Sequence, residues 1–216
     1  HGGETTEGVI DEAIRHSITK MSHLHFTSTN EYKNRVIQLG ENPRRVFNVG
    51  ALGIENINRI KLLSKIEFEK SIKLNLADLN FLVTFHPVTL EKETSEGQLR
   101  NLLLALENFP EAKIIFTKAN ADNDGRIINN ILEDYVKKNS LNTVLFNSMG
   151  QVRYLSAINH CQVVIGNSSS GLIEVPNFKK PTINIGDRQK GRIHAKSVIS
   201  CGTDTIKIKN AIDLSL

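Results

Sequence analysis

The sequence has little of what marks secreted, membrane-spanning or nucleic-acid-binding proteins. Tryptophan is absent, and two cysteines, Cys161 and Cys201, are too few for a disulfide framework and are predicted to be packing residues in a reducing compartment. No apolar run reaches the ~18 residues of a membrane span, and the opening segment HGGE does not resemble a signal peptide. The basic residues are scattered, so the net charge of +4 indicates no nucleic-acid arm. We therefore expect a cytoplasmic protein that binds neither nucleic acid nor membrane.

The rest of the composition predicts a soluble protein with a core. Of the 216 residues, 39% are hydrophobic and the mean hydropathy is −0.23, which suits one large domain or parts of two. The chain does not begin with methionine, which favours a fragment of a longer protein. The two histidines of the HLH segment, His23 and His25, have no carboxylate or cysteine at ligand spacing, so no metal site is predicted. No G-x-G-x-x-G follows a strand, and no nicotinamide cofactor is expected.

Apolar segments alternate between strand and helix periodicity, which predicts an α/β fold with a parallel sheet and right-handed crossovers. The predicted strands are 24–28, 46–49, 81–85, 113–117, 144–146, 163–165 and 182–185. The predicted helices are 8–21, 29–39, a segment between Ser95 and Pro110, 127–136, 152–158 and a helix that begins after the serines near residue 170. The largely polar stretch 51–78 is predicted to be a helical linker between two halves.

Small polar residues follow the strand that ends at Gly166. Ser168 and Ser169 can cap a helix, whose N-terminus would present free N–H groups and about half a positive charge to an anion. Arg188, after the next strand, could add a bidentate phosphate contact, and Glu174, one turn into the helix, could accept from ribose hydroxyls. From the residues alone, an ordinary capped helix explains this pattern equally well.

Two further loops follow neighbouring strands. They are His86-Pro87 and Asn120-Ala121-Asp122, and the carboxyl ends of parallel strands meet at one edge of the sheet. A histidine at such a strand exit can hold a phosphate or move a proton. A surface histidine without function is the alternative.

Five segments resemble the hydrolysing UDP-N-acetylglucosamine 2-epimerases of bacterial sialic-acid and legionaminic-acid synthesis. They are HGGETTEGVIDEAIRHSITKMSHLHFTST, RVFNVGALGIENI, FHPVT, GNSSSGLIEVPNF and INIGDRQKGR. The resemblance implies a glycosyltransferase-B-like fold, in which two Rossmann-like domains enclose the active site. It implies that residues 1–60 are the C-terminal part of the N-terminal domain and that residues 61–216 are the UDP-binding C-terminal domain. Because most of the N-terminal domain and a C-terminal tail would be absent, the fragment alone is expected to be inactive.

The resemblance also implies a reaction and its residues. UDP is eliminated to leave a 2-acetamidoglucal, and addition of water at C1 and a proton at C2 gives N-acetylmannosamine. Such a reaction needs well-placed acid–base groups and fixed partners for the departing diphosphate. Carried over by motif, the catalytic candidates are Asp11, His86, Glu4 and His1, and the UDP-binding candidates are His86, Asn120, Ser168, Ser169, Glu174 and Arg188. A homo-oligomer, dimer or tetramer, is expected, without cofactor or metal.

One position departs from the family pattern. Many relatives carry a catalytic glutamate before Gly-Gly where this chain has His1, which could still transfer protons near neutral pH or could belong to a non-native end. The departure leaves the sugar open, since UDP-N,N′-diacetylbacillosamine is an alternative to UDP-N-acetylglucosamine. A glycosyltransferase of the same fold and a non-catalytic nucleotide-sugar-binding module also stay open, because fold alone does not choose among them.

Overall fold

The computed structural model describes residues 2–6, 11–88, 95–120 and 125–216, apart from the side chain of Asp11. The helices are α1 (Asp11–Met21), α2 (Asn30–Gln38), α3 (Leu52–Arg59), α4 (Lys65–Ile72), α5 (Ser95–Leu106), α6 (Gly125–Lys138), α7 (Gly150–His160), α8 (Ser170–Ile173) and α9 (Thr205–Ser215). The strands are β1 (His25–Thr27), β2 (Val46–Asn48), β3 (Asn80–Thr84), β4 (Lys113–Thr117), β5 (Thr143–Phe146), β6 (Val163–Gly166), β7 (Thr182–Ile185) and β8 (Val198–Cys201). Short 3-10 turns cover Pro43–Arg45 and Val175–Phe178. Within these described ranges, no helix is long and apolar enough to cross a membrane.

Six strands form one parallel sheet in the order β5-β4-β3-β6-β7-β8. The chain starts in the centre at β3, runs outward through β4 and β5, and then returns to place β6 on the other side of β3. The strand order therefore reverses between β3 and β6, and at such a switch point the two flanking loops separate and leave a crevice. This topology confirms the predicted Rossmann-like parallel sheet flanked by helices.

The core lies on both faces of this sheet because successive residues of a strand point to opposite sides. Phe81 and Val83 of β3 pack on one face with α5, α6 and α9, through buried residues that include Leu102, Leu132 and Ile212. Leu82 packs on the other face with α4 and α7. Strands covered on both faces read as continuous apolar runs, which is why β3, β4, β6 and β7 were recognisable from the sequence.

The stretch 51–78 is not a linker, so that prediction is wrong. Ile57 of α3 and Phe68 and Ile72 of α4 are buried in the core beneath the sheet. Phe68 and Ile72 are four residues apart and share one face of α4, while Lys70 between them is exposed. The many charged residues of this segment belong to the outer face of two packed helices. The division of domains at residue 60 stays a prediction.

A second, two-stranded parallel sheet pairs β1 with β2, with His25 opposite Val46 and Thr27 opposite Asn48. Both strands and the helix α2 between them lie within one or two residues of their predicted bounds. The Phe26 and Phe47 rings stack at a centroid distance of 5.7 Å. The C-terminal β8 and α9 were not predicted at all, and they add the edge strand and one covering helix to the larger sheet.

Candidate active site

One histidine and one asparagine lie at the switch point of the large sheet. His86 follows β3 and Asn167 follows β6, and both are buried. The Asn167 Oδ1 accepts from the His86 backbone N–H at 2.7 Å, and the Asn167 Nδ2 donates to the His86 carbonyl at 2.8 Å. The two strand exits are therefore held together by a pair of side-chain to backbone hydrogen bonds.

The close approach of these strands requires a glycine at the end of β6. Gly166 has φ of +139°, and a Cβ added there would lie 1.8 Å from the Thr84 carbonyl oxygen. No L-side chain fits at that distance. The sequence pattern that ended a strand at Gly166 therefore marks a place where two backbones meet.

The His86 ring is oriented by the loop after β4. The Asn120 backbone N–H donates to His86 Nδ1 at 3.2 Å. Because Nδ1 accepts, we assign the proton of the neutral ring to Nε2, which makes Nε2 a donor suited to an anionic oxygen. The structure thus brings His86 and Asn120 together, as the sequence predicted.

Arg188 reaches the same corner from the loop after β7. The Asn167 carbonyl accepts from Arg188 Nη1 at 3.2 Å and from Gln189 Nε2 at 2.8 Å. His86, Asn120, Asn167 and Arg188 together are called the strand-exit cluster below. It combines imidazole, backbone N–H and guanidinium groups at the carboxyl edge of the sheet.

The serine turn differs from the predicted helix start. α8 is a single turn, and a 3-10 turn follows in which Pro176 cannot donate a backbone hydrogen bond. One turn aligns few peptide dipoles, so the predicted anion attraction by a helix macrodipole does not apply. The Ser168 hydroxyl accepts from the Ser170 N–H at 3.4 Å, and Ser169 makes no side-chain cap. What the turn supplies to an anion is hydroxyl and backbone N–H groups.

The serine turn is supported from below by Tyr154 of α7. Its hydroxyl donates to Ser170 Oγ at 2.8 Å. Burial raises the pKa of Tyr154 to about 12, so this phenol stays protonated and keeps its donor role. Glu174 lies beyond the end of α8, and a Cβ added at Gly53 of α3 would lie 3.8 Å from its Oε1. Its carboxylate therefore faces the helix α3.

A second cluster forms around Glu4. Glu4 Oε2 lies 3.0 Å from Arg15 Nη1 and 3.5 Å from Arg192 Nη2. The Thr6 hydroxyl accepts from Arg15 Nη2 at 2.8 Å and from Arg192 Nε at 3.0 Å. We call Glu4, Thr6, Arg15 and Arg192 the Glu4 cluster. Both guanidiniums thus contact both partners, which holds the Glu4 carboxylate from two directions.

Gly2 and Gly3, which precede Glu4, pack against α2. A Cβ added at Gly3, whose φ is +75°, would lie 2.1 Å from the Tyr32 carbonyl oxygen. Arg35 of α2 donates to the Gly3 carbonyl at 2.5 Å. His1 and the Asp11 side chain lie outside the described residues, so their catalytic roles stay predictions.

A cavity of about 650 Å³ borders the Glu4 cluster. It is lined by Gly2, Glu4 and Tyr32 from the first segment, by Leu172 and Ile173 of α8, and by Arg192 and Ile193 after β7, among others. His86, Asn120, Ser168, Ser169, Glu174 and Arg188 are not among its lining residues. The predicted site is therefore divided, with Glu4 on the cavity and the strand-exit cluster outside its lining, four residues away along the loop that carries Arg188 and Arg192.

Sequence reasoning missed Arg192, Thr6 and Asn167 as members of the site. Arg192 is the second arginine of the GDRQKGR segment, four residues after Arg188, and that spacing was the available signal. Nothing local indicated its partner, because Arg192 and Thr6 are 186 positions apart.

Comparisons with known proteins identify the family to which this chain belongs. The sequence model described as UDP-N-acetylglucosamine 2-epimerase matches residues 1–216. The chain belongs to this family. It is 48% identical over 198 residues to the GDP/UDP-N,N′-diacetylbacillosamine 2-epimerase (hydrolyzing) of Campylobacter jejuni, covering 92% of this chain and 52% of that protein. It is 46% identical over 216 residues to the polysialic acid biosynthesis protein P7 of Escherichia coli, covering 100% of this chain and 54% of that protein.

The chain spans about half the length of the curated relatives it matches. Among solved structures, it resembles the UDP-GlcNAc 2-epimerase of Neisseria meningitidis bound to UDP-GlcNAc with a TM-score of 0.78 and 16% identity, over 98% of this chain and 59% of that one. It also resembles the UDP-GlcNAc 2-epimerase of Methanocaldococcus jannaschii in complex with UDP-GlcNAc and UDP. The TM-score is 0.71 and the identity 16%, over 100% of this chain and 61% of that one. At this identity the likeness shows the fold, and that fold is the one the sequence motifs implied.

Proposed function

We propose that the complete protein is a hydrolysing 2-epimerase that converts UDP-N-acetylglucosamine to N-acetylmannosamine and UDP through a 2-acetamidoglucal. The observation that carries the proposal is the position of Glu4 on the cavity, where Arg192 of the same short loop as Arg188 links it to the strand-exit cluster. Elimination of a nucleotide needs an acid–base group near the sugar and fixed donors near the diphosphate. The two clusters supply these two kinds of group at neighbouring positions.

The strand-exit cluster binds UDP in this proposal. The His86 Nε2–H and the Arg188 guanidinium donate to the diphosphate, and the hydroxyl and N–H groups of Ser168 and Ser169 add further donors. Asn120 holds the His86 ring and borders the nucleotide. Glu174, whose carboxylate faces α3, accepts from ribose hydroxyls on that side, because a carboxylate beside a diphosphate would be repelled.

The acid–base chemistry takes place on the cavity side. A carboxylate, Asp11 or Glu4, accepts the proton from C2 of the sugar while the bond between C1 and the UDP oxygen breaks, which leaves the glucal double bond. Water then adds at C1, and an acid returns a proton to the opposite face of C2. His1 and His86 are the further groups proposed to exchange protons in these steps, since imidazole titrates near neutral pH.

Several finer features belong to the same proposal. Residues 1–60 would form the C-terminal part of an N-terminal domain, and residues 61–216 would form the UDP-binding domain. The complete protein would act in the cytoplasm as a dimer or tetramer on the route to sialic acid, with no cofactor. The names of the relatives also support UDP-N,N′-diacetylbacillosamine as the alternative substrate.

To test the proposal, the complete protein is incubated in deuterated water with UDP-N-acetylglucosamine or with UDP-N,N′-diacetylbacillosamine. NMR then identifies the sugar product and the release of UDP. Release of UDP together with N-acetylmannosamine deuterated at C2 is the expected result, and faster turnover of UDP-N,N′-diacetylbacillosamine would assign that substrate instead. UDP without an epimerised sugar, or transfer only to an added acceptor, contradicts the proposal and favours a glycosyltransferase. UDP binding without any conversion favours a binding module.

The same assay tests Asp11 as the proton acceptor. Asp11→Asn is expected to lower turnover by a factor of ~100 or more, the scale of general acid–base catalysis, with UDP affinity nearly unchanged. A variant that loses thermal stability but keeps its rate per folded molecule would make Asp11 a structural residue and leave Glu4 and His1 as the candidates.

A further inference from the structure

The loop after β7 connects the two halves of the candidate site. It begins at Gly186, whose φ is +69°, and folds back on itself through two backbone hydrogen bonds. The Lys190 N–H donates to the Asp187 carbonyl at 2.9 Å, and the Arg192 N–H donates to the Gln189 carbonyl at 3.2 Å. Two consecutive turns of this kind make residues 187–192 a compact unit rather than an open loop.

The two arginines of this loop contact different clusters. Arg188 donates to the Asn167 carbonyl on the nucleotide side. Arg192 contacts Glu4 and Thr6 on the other side, and the N–H of the next residue, Ile193, donates to the buried Tyr32 hydroxyl at 3.2 Å. Desolvation by burial raises the pKa of Tyr32, so the phenol is neutral at physiological pH. The loop is therefore anchored at both ends, once to the large sheet and once to the first segment.

The backbone before Glu4 is held against α2, because Gly3 packs on the Tyr32 carbonyl and Arg35 donates to the Gly3 carbonyl. The direction of the Glu4 side chain depends on the partners of its carboxylate. Arg15 belongs to the same N-terminal segment as Glu4, whereas Arg192 comes from the loop after β7. The side chains of Glu4 and Arg192 are each only 14% exposed, so water competes weakly for this contact.

We propose that Arg192 is a positioning residue that sets the geometry of the Glu4 carboxylate and ties it to nucleotide binding at Arg188. The inference rests on the proposed function. Because both guanidiniums belong to one compact loop, a diphosphate that draws in Arg188 fixes the loop, and the loop in turn fixes Glu4. Arg192 acts on the reaction through Glu4 and does not bind UDP.

Kinetics of the complete protein separate this role from a structural one. Arg192→Gln is expected to lower kcat about 10- to 100-fold, the scale of misplacing a catalytic group, while KM and the Kd of UDP measured by calorimetry change less than about twofold. Arg192→Lys keeps the charge and should recover part of kcat. Lys190→Gln removes the same charge from an exposed position of the same loop and should keep full activity.

Two outcomes would overturn the inference. If Arg192→Gln weakens UDP as strongly as Arg188→Ala, then Arg192 is a nucleotide ligand. If it lowers only the melting temperature while kcat per folded molecule is kept, the contact with Glu4 is structural.

A double-mutant cycle with Glu4→Gln gives an independent test. When Glu4 is already replaced, adding Arg192→Gln should lower kcat by less than a factor of about two, because coupled residues are not additive. Additive losses would show that Arg192 does not act through Glu4. If the wild-type protein converts neither UDP-sugar, the proposed function fails. UDP protection of the loop 187–192 and of residues 2–6 from hydrogen exchange then tests the coupling by itself, and protection of the loop alone would refute it.

Discussion

At the scale of single residues, Asn167 organises the strand-exit cluster, which is the part of the site proposed to bind UDP. Its amide donates to and accepts from the His86 backbone, and its carbonyl accepts from Arg188 and Gln189. An asparagine side chain carries one donor group and one acceptor, which match the one N–H and one C=O of a neighbouring residue. The position of Arg188 therefore depends on a residue that itself need not touch the ligand.

Replacing Arg188 tests the nucleotide site directly. Arg188→Ala is expected to weaken UDP binding by about 1.5–3 kcal/mol, the range for hydrogen bonds to a charged group. Calorimetry with UDP measures the loss, and Arg45→Ala, which removes an exposed arginine from the 3-10 turn before β2, serves as the matched control. Equal affinity of Arg188→Ala and wild type would remove Arg188 from the UDP site.

At the scale of elements, a charged group joins α1, β1 and the turn after α2. Glu41 in that turn lies 2.5 Å from the Lys20 Nζ of α1 and 3.1 Å from the buried His25 Nε2 of β1. The Lys20 hydrogen bond is the main reason that the pKa of Glu41 lies below its usual value. This contact gives the buried His25 ring a carboxylate partner.

The lowered pKa of Glu41 predicts the direction of an acid effect on stability. A carboxyl with a lower pKa in the folded state stabilises the protein above its unfolded pKa, and this stability is lost as the pH falls through the folded value. Urea unfolding between pH 7 and about pH 3 should show a smaller acid loss for Glu41→Gln than for wild type. Glu111→Gln, at an exposed position away from this contact, should keep the wild-type slope. Parallel curves for Glu41→Gln and wild type would show that the contact adds nothing to stability.

At the scale of the whole molecule, the two thiols lie in different parts of the large sheet. Cys161 comes between α7 and β6 and is completely buried, whereas Cys201 ends the edge strand β8 and is partly exposed. Burial raises the pKa of Cys161 to about 12 and that of Cys201 to about 11. Since the thiolate is the reactive form, both groups are protected in the folded protein, and Cys161 more strongly.

Alkylation should therefore report opening of the molecule in two steps. With iodoacetamide at about pH 8, Cys201 is expected to react first and Cys161 only at the rate of global unfolding, because edge strands open more readily than the core. Mass spectrometry of the labelled protein at increasing urea concentrations measures both rates. The single variants Cys161→Ala and Cys201→Ala assign each signal. Labelling of Cys161 in the folded protein as fast as that of Cys201 would contradict the prediction.

Much of the large sheet and one half of the site were predictable from the sequence. β3, β4, β6 and β7 read as apolar runs because they are buried on both faces, and their carboxyl ends meet at one edge. For that reason His86, Asn120 and Arg188 could be placed near each other from their positions after strands alone. The fit of Gly166 against Thr84 was also marked locally, by a glycine that ends an apolar run.

The tertiary structure decided what depends on partners distant in the chain. The many charged residues of 51–78 resembled those of a linker. Only the folded structure shows that Phe68 and Ile72, four residues apart, pack into the core of the large sheet. The edge strand β8 is only partly buried and lacks the continuous buried run of β6 and β7, so it is defined by its pairing with β7. The contacts of Arg192 with Thr6 and Glu4 join opposite ends of the chain, and a guanidinium in a loop carries no local sign of the carboxylate it will meet. Strand periodicity is local and can be read along the chain, whereas the pairing of charged side chains is decided only when the folded backbone brings their loops together.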